Sequence, residues 1–233
     1  MKLLAVETST ENCSAAVYND GDVFAINEIA PQKHAELILP MCDRALAHFD
    51  LDMHDLDGIV FGRGPGSFTG VRIAASTAQG LSAGLNLPCA AVVSLEALAM
   101  QALIGSDEEF AVAAIDARMG EVYCAVYDRT GDYPKAVLEP CVVSPEIAVQ
   151  RVFKALGARP SCAGGSGIDL MYKAGMNPNM IIRSRFPDAE MIALLGKRLF
   201  DAGKTVTAAE ALPLYVRDDV AWKKVTEQHK LKH

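Results

Sequence analysis

A glycine-rich stretch from Gly62 to Arg72, GRGPGSFTGVR, has the residue types that can hold an anion. A short apolar run, 58–61, precedes it, and a segment rich in small residues, 73–85, follows it. This order predicts a strand, a glycine loop and a helix. Backbone N–H groups in such a loop and at the helix start favour phosphate. A tight turn in which two backbones approach closely explains the same glycines, so both interpretations stay open.

The loop does not match the common nucleotide-binding patterns. The P-loop pattern requires Lys and then Ser or Thr after its last glycine, whereas Val71 and Arg72 follow Gly70. The glycine spacing is also out of register with the dinucleotide fingerprint. If the stretch holds a vestigial nucleotide or phosphate site, the candidate residues are Gly64, Gly66, Ser67, Thr69 and Gly70.

Two acids end buried-strand patterns. Glu7 follows Leu3–Val6, and Asp116 follows Ala111–Ile115. In an actin-like enzyme, acids at such positions hold magnesium near nucleotide phosphates. An acid that closes a turn or pairs with a nearby arginine is an equally available explanation, and the sequence leaves the roles of Glu7 and Asp116 open.

Other catalytic constellations are not supported. A metal-binding helix would need a second histidine four residues after His34, where Ile38 stands, and no H-E-x-x-H motif occurs. His34 is therefore predicted to be a capping or interface residue. Ser67 lacks the G-x-S-x-G context of an esterase nucleophile. The 6 cysteines form no C-x-x-C pair and are predicted to be small core residues with reduced thiols.

The elements that must position these residues occur twice. A strand, an acid, a second strand and a turn recur at nearly the same offset, with Ala16–Tyr18 matched by Ala125–Tyr127. The repeat predicts an internal duplication, although two unrelated hairpins would share these common residues. Each half reads strand, strand, strand, helix, the layout of a ribonuclease-H-like or actin-like (ASKHA) half. We expect a complete N-terminal half, 1–105, and a reduced C-terminal half, 106–233.

Composition restricts the class of protein. The chain has 233 residues, 51% of them hydrophobic and 22% charged, which suits a globular protein with a substantial core. The net charge of −7 makes it a poor nucleic-acid binder on its own. Its one basic cluster, within the last eleven positions, consists of Lys223, Lys224, Lys230 and Lys232 with His229 and His233, and this tail is predicted to be solvated. No signal peptide or membrane span is evident, so we expect a cytoplasmic protein without membrane contact.

The first two predicted helices are candidates for a subunit interface. One has an apolar face, and the other is lined with small residues that let a partner helix approach closely. A covering role over the sheet is the alternative. The predicted interface residues are His34, Leu37, Ile38, Met41, Ala45, Val71, Ala74, Ala75 and Ala78. A charge at Met41 or Ala75 is then expected to block pairing while the chain stays folded.

Several motifs in the right order resemble the TsaB family, also called YeaZ. They are the opening LAVETST, HAELILP at 34–40, GPGSFTG at 64–70 and DARMGEVY at 116–123. The C-terminal PLYVR at 213–217, followed by AWK at 221–223, resembles the family's end. The family more often has Asp than Glu at the position of Glu7.

The resemblance implies a non-catalytic scaffold and activator in bacterial tRNA modification. Its partner TsaD, a catalytic homologue, would bind metal and nucleotide and form N6-threonylcarbamoyladenosine at adenosine 37 of tRNAs that read ANN codons. TsaE, an ATPase, would complete the complex, and TsaC would supply the activated substrate. ATP or ADP and metal are expected on these partners, with no cofactor on this chain alone. The helix pair would dock on TsaD or form a homodimer, and tRNA contact would be indirect.

Two other functions are alternatives. An autonomous nucleotide-binding enzyme of the ASKHA type would use Glu7, Asp116 and the glycine loops, including a second loop at 162–167. A peptidase is disfavoured because the metal and nucleophile patterns are incomplete.

Overall fold

The computed structural model describes residues 1–216 except Gly105, Thr130, Asp132, 177–180 and Arg183, and it leaves the side chains of Ile181 and Ile182 undescribed. The predicted basic tail and the AWK motif at 221–223 lie outside the described residues. Among the described helices, none combines the length and apolar character needed to cross a bilayer.

The first half forms a five-stranded sheet. Its strands, in the spatial order β3-β2-β1-β4-β5, are β1 (Lys2–Glu7), β2 (Asn12–Asn19), β3 (Asp22–Ile29), β4 (Gly58–Gly62) and β5 (Cys89–Val92). The first three strands pair antiparallel, whereas β4 and β5 pair parallel with β1 and with each other. The helices of this half are α1 (His34–Ala47), α2 (Phe68–Leu85) and α3 (Ser94–Leu103).

The second half repeats this arrangement. Its sheet, in the order β10-β9-β6-β7-β8, contains β6 (Phe110–Arg118), β7 (Glu121–Asp128), β8 (Lys135–Val143), β9 (Ser161–Gly164) and β10 (Ile181–Ile182). The pairing directions are also the same. Its helices are α4 (Pro145–Leu156), α5 (Ile168–Lys173) and α6 (Ala189–Asp201).

Local sequence explains where several helices begin. Ser67, Ser144 and Asp188 each stand at an N-cap, where the side chain accepts a hydrogen bond from a backbone N–H of the first turn. The buried residues of α4 recur at Ala148, Val152 and Leu156, the spacing of one helical face.

The last helix of each half packs across the molecule. Helices α1 and α2 cover one face of the first sheet, and α6 covers the other face. Helix α3 packs on the second sheet, whose opposite face is covered by α4 and α5. A 2.6 Å ion pair between Arg198 and Glu96 joins α6 to α3. The predicted boundary at 105/106 therefore separates the two halves along the sequence, although each half contributes a helix to the other half's sheet. That these halves are two domains stays a prediction.

Two helical glycines give a matched test of this packing. A β-carbon at Gly196 of α6 would lie 2.3 Å from Val60 Cγ1, whereas one at Gly80 of α2 would have no heavy atom within 4 Å. We expect Gly196→Ala to lower the free energy of unfolding by about 1–3 kcal/mol because it overpacks the core. Gly80→Ala should raise it by about 0.5–1 kcal/mol through helix propensity. Urea denaturation of both variants measures the difference, and equal effects would contradict the packing of α6.

The cysteines are free thiols: Cys13, Cys42, Cys89, Cys124 and Cys162 are buried, and Cys141 is half-buried. Burial raises the pKa of Cys13 to about 11 and that of Cys42 to about 12. Both side chains are therefore neutral at physiological pH and pack as small apolar groups, as the sequence predicts.

Candidate functional site

A cleft of about 860 Å³ lies between the ends of β1 and β6. The segment after β1, the start of α1, the start of α2 and the end of β6 line it, and 214–216 complete its wall. The volume is within the range of small-molecule sites. The two sheets thus bring the predicted glycine loop and Asp116 to one cavity, although they are far apart in the sequence.

The glycine loop packs its backbone directly against the segment that follows β1. A β-carbon at Gly66 would lie 2.3 Å from the Ser9 carbonyl oxygen, and one at Gly70 would lie 2.0 Å from that of Thr8. The Thr8 hydroxyl donates to the Gly70 carbonyl oxygen at 2.7 Å, and Ser67 N–H donates to the Ser9 carbonyl oxygen at 2.7 Å. Close backbone approach therefore accounts for both glycines without a ligand.

The second glycine loop makes the same kind of contact with β6. A β-carbon at Gly165 would lie 1.9 Å from the Ala114 carbonyl oxygen, and Gly167 N–H donates to that oxygen at 3.0 Å. Each loop thus packs on the end of the central strand of its own sheet.

Glu7 is completely buried and is held by groups of the chain itself. Its Oε1 accepts from Ser9 N–H at 2.5 Å, and its Oε2 accepts from the Ser94 hydroxyl at 2.6 Å. Ser94 Oγ in turn accepts from Gly64 N–H at 3.2 Å. The carboxylate therefore ties β1 to the start of α3 and to the glycine loop.

Burial raises the pKa of Glu7 above its ordinary value of 4.5, against the hydrogen bonds from Ser9 and Ser94, which lower it. The folded carboxyl thus keeps its proton to higher pH than the unfolded one. Stability relative to Glu7→Gln should fall as pH rises above 4.5 and stay lower at neutral pH. Each pKa unit corresponds to about 1.4 kcal/mol. Urea unfolding of both proteins across this range measures the trend, and parallel pH profiles would contradict it.

Asp116 lines the cleft and pairs with an arginine. Its Oδ1 accepts from Arg118 N–H at 2.8 Å, and its Oδ2 lies 3.5 Å from the Arg118 guanidinium. The same guanidinium contacts Glu11 at 2.5 Å and so bridges the two sides of the cleft. Within the described part of the chain, no three His, Cys, Asp or Glu side chains group as a metal site.

The structure places most of the predicted interface residues in the chain's own core. Ile38, Met41, Ala45, Ala74, Ala75 and Ala78 are buried against the first sheet. His34 and Val71 are also buried and line the cleft, whereas Leu37 is half-buried. The expectation that a charge at Met41 or Ala75 leaves the chain folded conflicts with this burial. Whether the helix pair contacts a partner stays a prediction.

Other residues form the accessible surface of the same two helices. On α1 it includes Leu39, Pro40 and Arg44, and on α2 it includes Ser76, Gly80, Ala83 and Gly84. We call these seven residues the outer face. The small residues of α2 leave its backbone open to close approach.

Sequence reasoning missed residues whose contacts are long-range. Ser94 reaches Glu7, Arg118 reaches Glu11, and Leu214 N–H donates to the Arg63 carbonyl oxygen at 2.7 Å. Tyr215 lies 5.0 Å from the Arg72 guanidinium, which also stacks on Phe68. Arg118 and Tyr215 stand within motifs quoted above, but no local signal indicated these contacts.

Two α/β sheets of identical strand order, a glycine loop at each central strand and a cleft between them define an ASKHA-like protein. Residues 25–224 match the family model described as TsaD: tRNA N6-adenosine threonylcarbamoyltransferase. The chain belongs to the TsaB (YeaZ) family. It is 38% identical to the Escherichia coli tRNA threonylcarbamoyladenosine biosynthesis protein TsaB, over 97% of this chain and 98% of that protein.

Further relatives agree. The Haemophilus influenzae protein of the same name is 36% identical, with 97% of each chain covered. The structure of YeaZ from Pseudomonas aeruginosa superposes with a TM-score of 0.85 at 35% identity, covering 92% of this chain and 99% of that one.

Proposed function

We propose that this chain takes part in forming N6-threonylcarbamoyladenosine at adenosine 37 of tRNA, as a non-catalytic scaffold that activates a TsaD-type partner. The role in this pathway is supported by the nearly full-length match to proteins that are named for tRNA threonylcarbamoyladenosine biosynthesis. The same proposal includes TsaE and TsaC as further partners, with ATP or ADP and the metal bound by partner subunits. It also includes indirect contact with tRNA and a cytoplasmic location.

The non-catalytic role is supported by how the two candidate acids are used. Glu7 accepts hydrogen bonds from Ser9 and Ser94, and Asp116 is paired with Arg118. Both acids therefore have structural partners within the chain, and neither role requires a nucleotide or a metal ion. The glycine loop likewise serves backbone packing.

The outer face of α1 and α2 is the surface that we propose for TsaD, or for a second copy when the chain is alone. Its exposed small residues permit close helix approach, and Leu39 adds an apolar contact that is 48% exposed. Six of the nine residues predicted from sequence, those buried against the first sheet, would then support this surface from beneath.

The two halves are proposed to derive from one duplicated unit. Each contains three antiparallel strands, a helix, a parallel strand, a second helix, a last strand and a third helix. The second half is shorter in places: α5 has 6 residues where α2 has 18, and β10 has 2 where β5 has 4.

A reconstituted assay tests the function. Threonylcarbamoyl transfer to tRNA by TsaD, TsaE and TsaC is measured with and without this chain. We expect activity to require the chain and to stay within about twofold of wild type in Asp116→Asn, since the carboxylate of Asp116 is paired with Arg118. Equal activity without the chain would refute the scaffold.

The rival nucleotide-dependent enzyme is favoured by one observation, the size of the cleft that Asp116 lines. A folded Asp116→Asn variant that abolishes transfer would support that alternative. Glu7→Gln is the second acid variant in the same transfer assay. It is suitable because the oxygen of its side-chain amide can still accept the hydrogen bond from Ser9 N–H.

A further inference from the structure

The starts of two long helices border the same corner of the cleft. Helix α1 has 14 residues and begins at His34, and α2 has 18 residues and begins at Phe68. Residues of both starts line the cleft. The positive ends of two helix dipoles therefore act on one small volume.

Backbone donors at this corner are only partly used. Ser67 caps α2 through Gly70 N–H, so the N–H groups of Phe68 and Thr69 keep no partner within the helix. At α1, the N-cap residue Lys33 makes no side-chain capping bond. Free N–H groups at a helix start favour a bound anion.

A second, independent observation comes from His34. His34 is one of the residues that line the cleft, only 7% of the residue is exposed, and its buried Nε2 has no hydrogen-bond partner among the described residues. A buried ring nitrogen without a partner is costly, and an acceptor bound in the cleft would remove that cost. Ser9 Oγ, also buried, lacks a well-aligned partner too, although it lies near the Glu7 carboxylate and favours its ionised form.

The charged side chains that line the cleft pair with one another and not with the helix starts. They are Glu11, Asp116 and Arg118, and the two acids are already paired with the arginine. We propose that the corner between the starts of α1 and α2 is an oxyanion site, for a phosphate or a carboxylate group, in which His34 Nε2 donates a hydrogen bond. This inference does not rest on the proposed function.

The test is a titration of the full chain alone with inorganic phosphate, and separately with acetate, followed by amide NMR shifts. We expect saturable shifts centred on the N–H groups of His34, Ala35, Phe68 and Thr69 for at least one anion. Saturation by phosphate but not acetate assigns a phosphate site, and the reverse assigns a carboxylate site. Chloride at equal ionic strength controls for screening.

Variants test the donor. His34→Phe keeps a ring but removes the donor, and it should weaken binding by about tenfold or more. His48→Phe is the matched control, because His48 is exposed at the other end of α1, stacked on Phe24. Unchanged binding in folded His34→Phe would overturn the proposal. If that variant does not fold, the wild-type titration decides: shifts that are unsaturable, or centred elsewhere, overturn it.

Discussion

Gly70→Ala is expected to lower the free energy of unfolding by about 3 kcal/mol or more, enough to prevent accumulation of folded protein if the chain is marginally stable. The new β-carbon would lie 2.0 Å from the Thr8 carbonyl oxygen and 3.1 Å from its carbon. These are backbone atoms of the segment after β1, so no side-chain rotation relieves the clash. Shifting the helix start would also strain the hydrogen bond from Thr8 Oγ1 to the Gly70 carbonyl oxygen.

Gly84→Ala is the matched control in the same helix. A β-carbon there meets no heavy atom within 4 Å, so the variant should be at least as stable as wild type. Chemical denaturation and soluble yield compare the two. A Gly70→Ala protein as stable as Gly84→Ala would show that the loop does not need its close approach to Thr8.

Gly80→Arg is expected to weaken pairing with a TsaD-type partner by about a hundredfold or more, because a long charged side chain would project from the outer face. The monomer should stay folded, since a β-carbon at Gly80 has open space around it and arginine is a better helix former than glycine. Tenfold dilution series in analytical ultracentrifugation measure the loss of pairing. Transfer activity should fall to the level found without the chain.

The control for this variant adds the same charge elsewhere. Gln150 is exposed on α4, which covers the second sheet, whereas α2 covers the first. Gln150→Arg should pair normally and support full activity. If folded Gly80→Arg also pairs normally, the outer face is not the docking surface, whatever the role of the chain in tRNA modification.

The two glycine loops illustrate why a pattern of glycines does not by itself define a ligand site. At Gly66, Gly70 and Gly165, a β-carbon would lie 2.3 Å or less from a backbone carbonyl oxygen, a distance too short for any side chain. The same loop geometry nevertheless brings the start of α2 to the cleft. Backbone packing of the loop and anion binding at the start of α2 are therefore compatible explanations. Only variants that leave the glycines unchanged, such as His34→Phe, can test binding without disturbing the packing.

The secondary-structure elements and the family could both be predicted from the amino-acid sequence. Strand, loop and helix could be predicted around Gly64–Gly70 because they depend on local composition and periodicity. The recurrence of strand, acid, strand and turn likewise indicated two similar halves. The ordered motifs identified the TsaB family, which the nearly full-length relatives confirm.

In contrast, neither the surface that each helix face covers nor the groups that each acid contacts could be predicted from the sequence. Periodicity marks the apolar face containing Met41 and Ala45, but a sheet and a partner subunit bury such a face equally well. Glu7 meets Ser94 across 87 residues, and Arg118 meets Glu11 across 107. The packing of α3 on the second sheet and of α6 on the first is likewise a contact between segments that are far apart in the sequence. These contacts depend on packing between segments remote in the chain, which local patterns of residues do not encode.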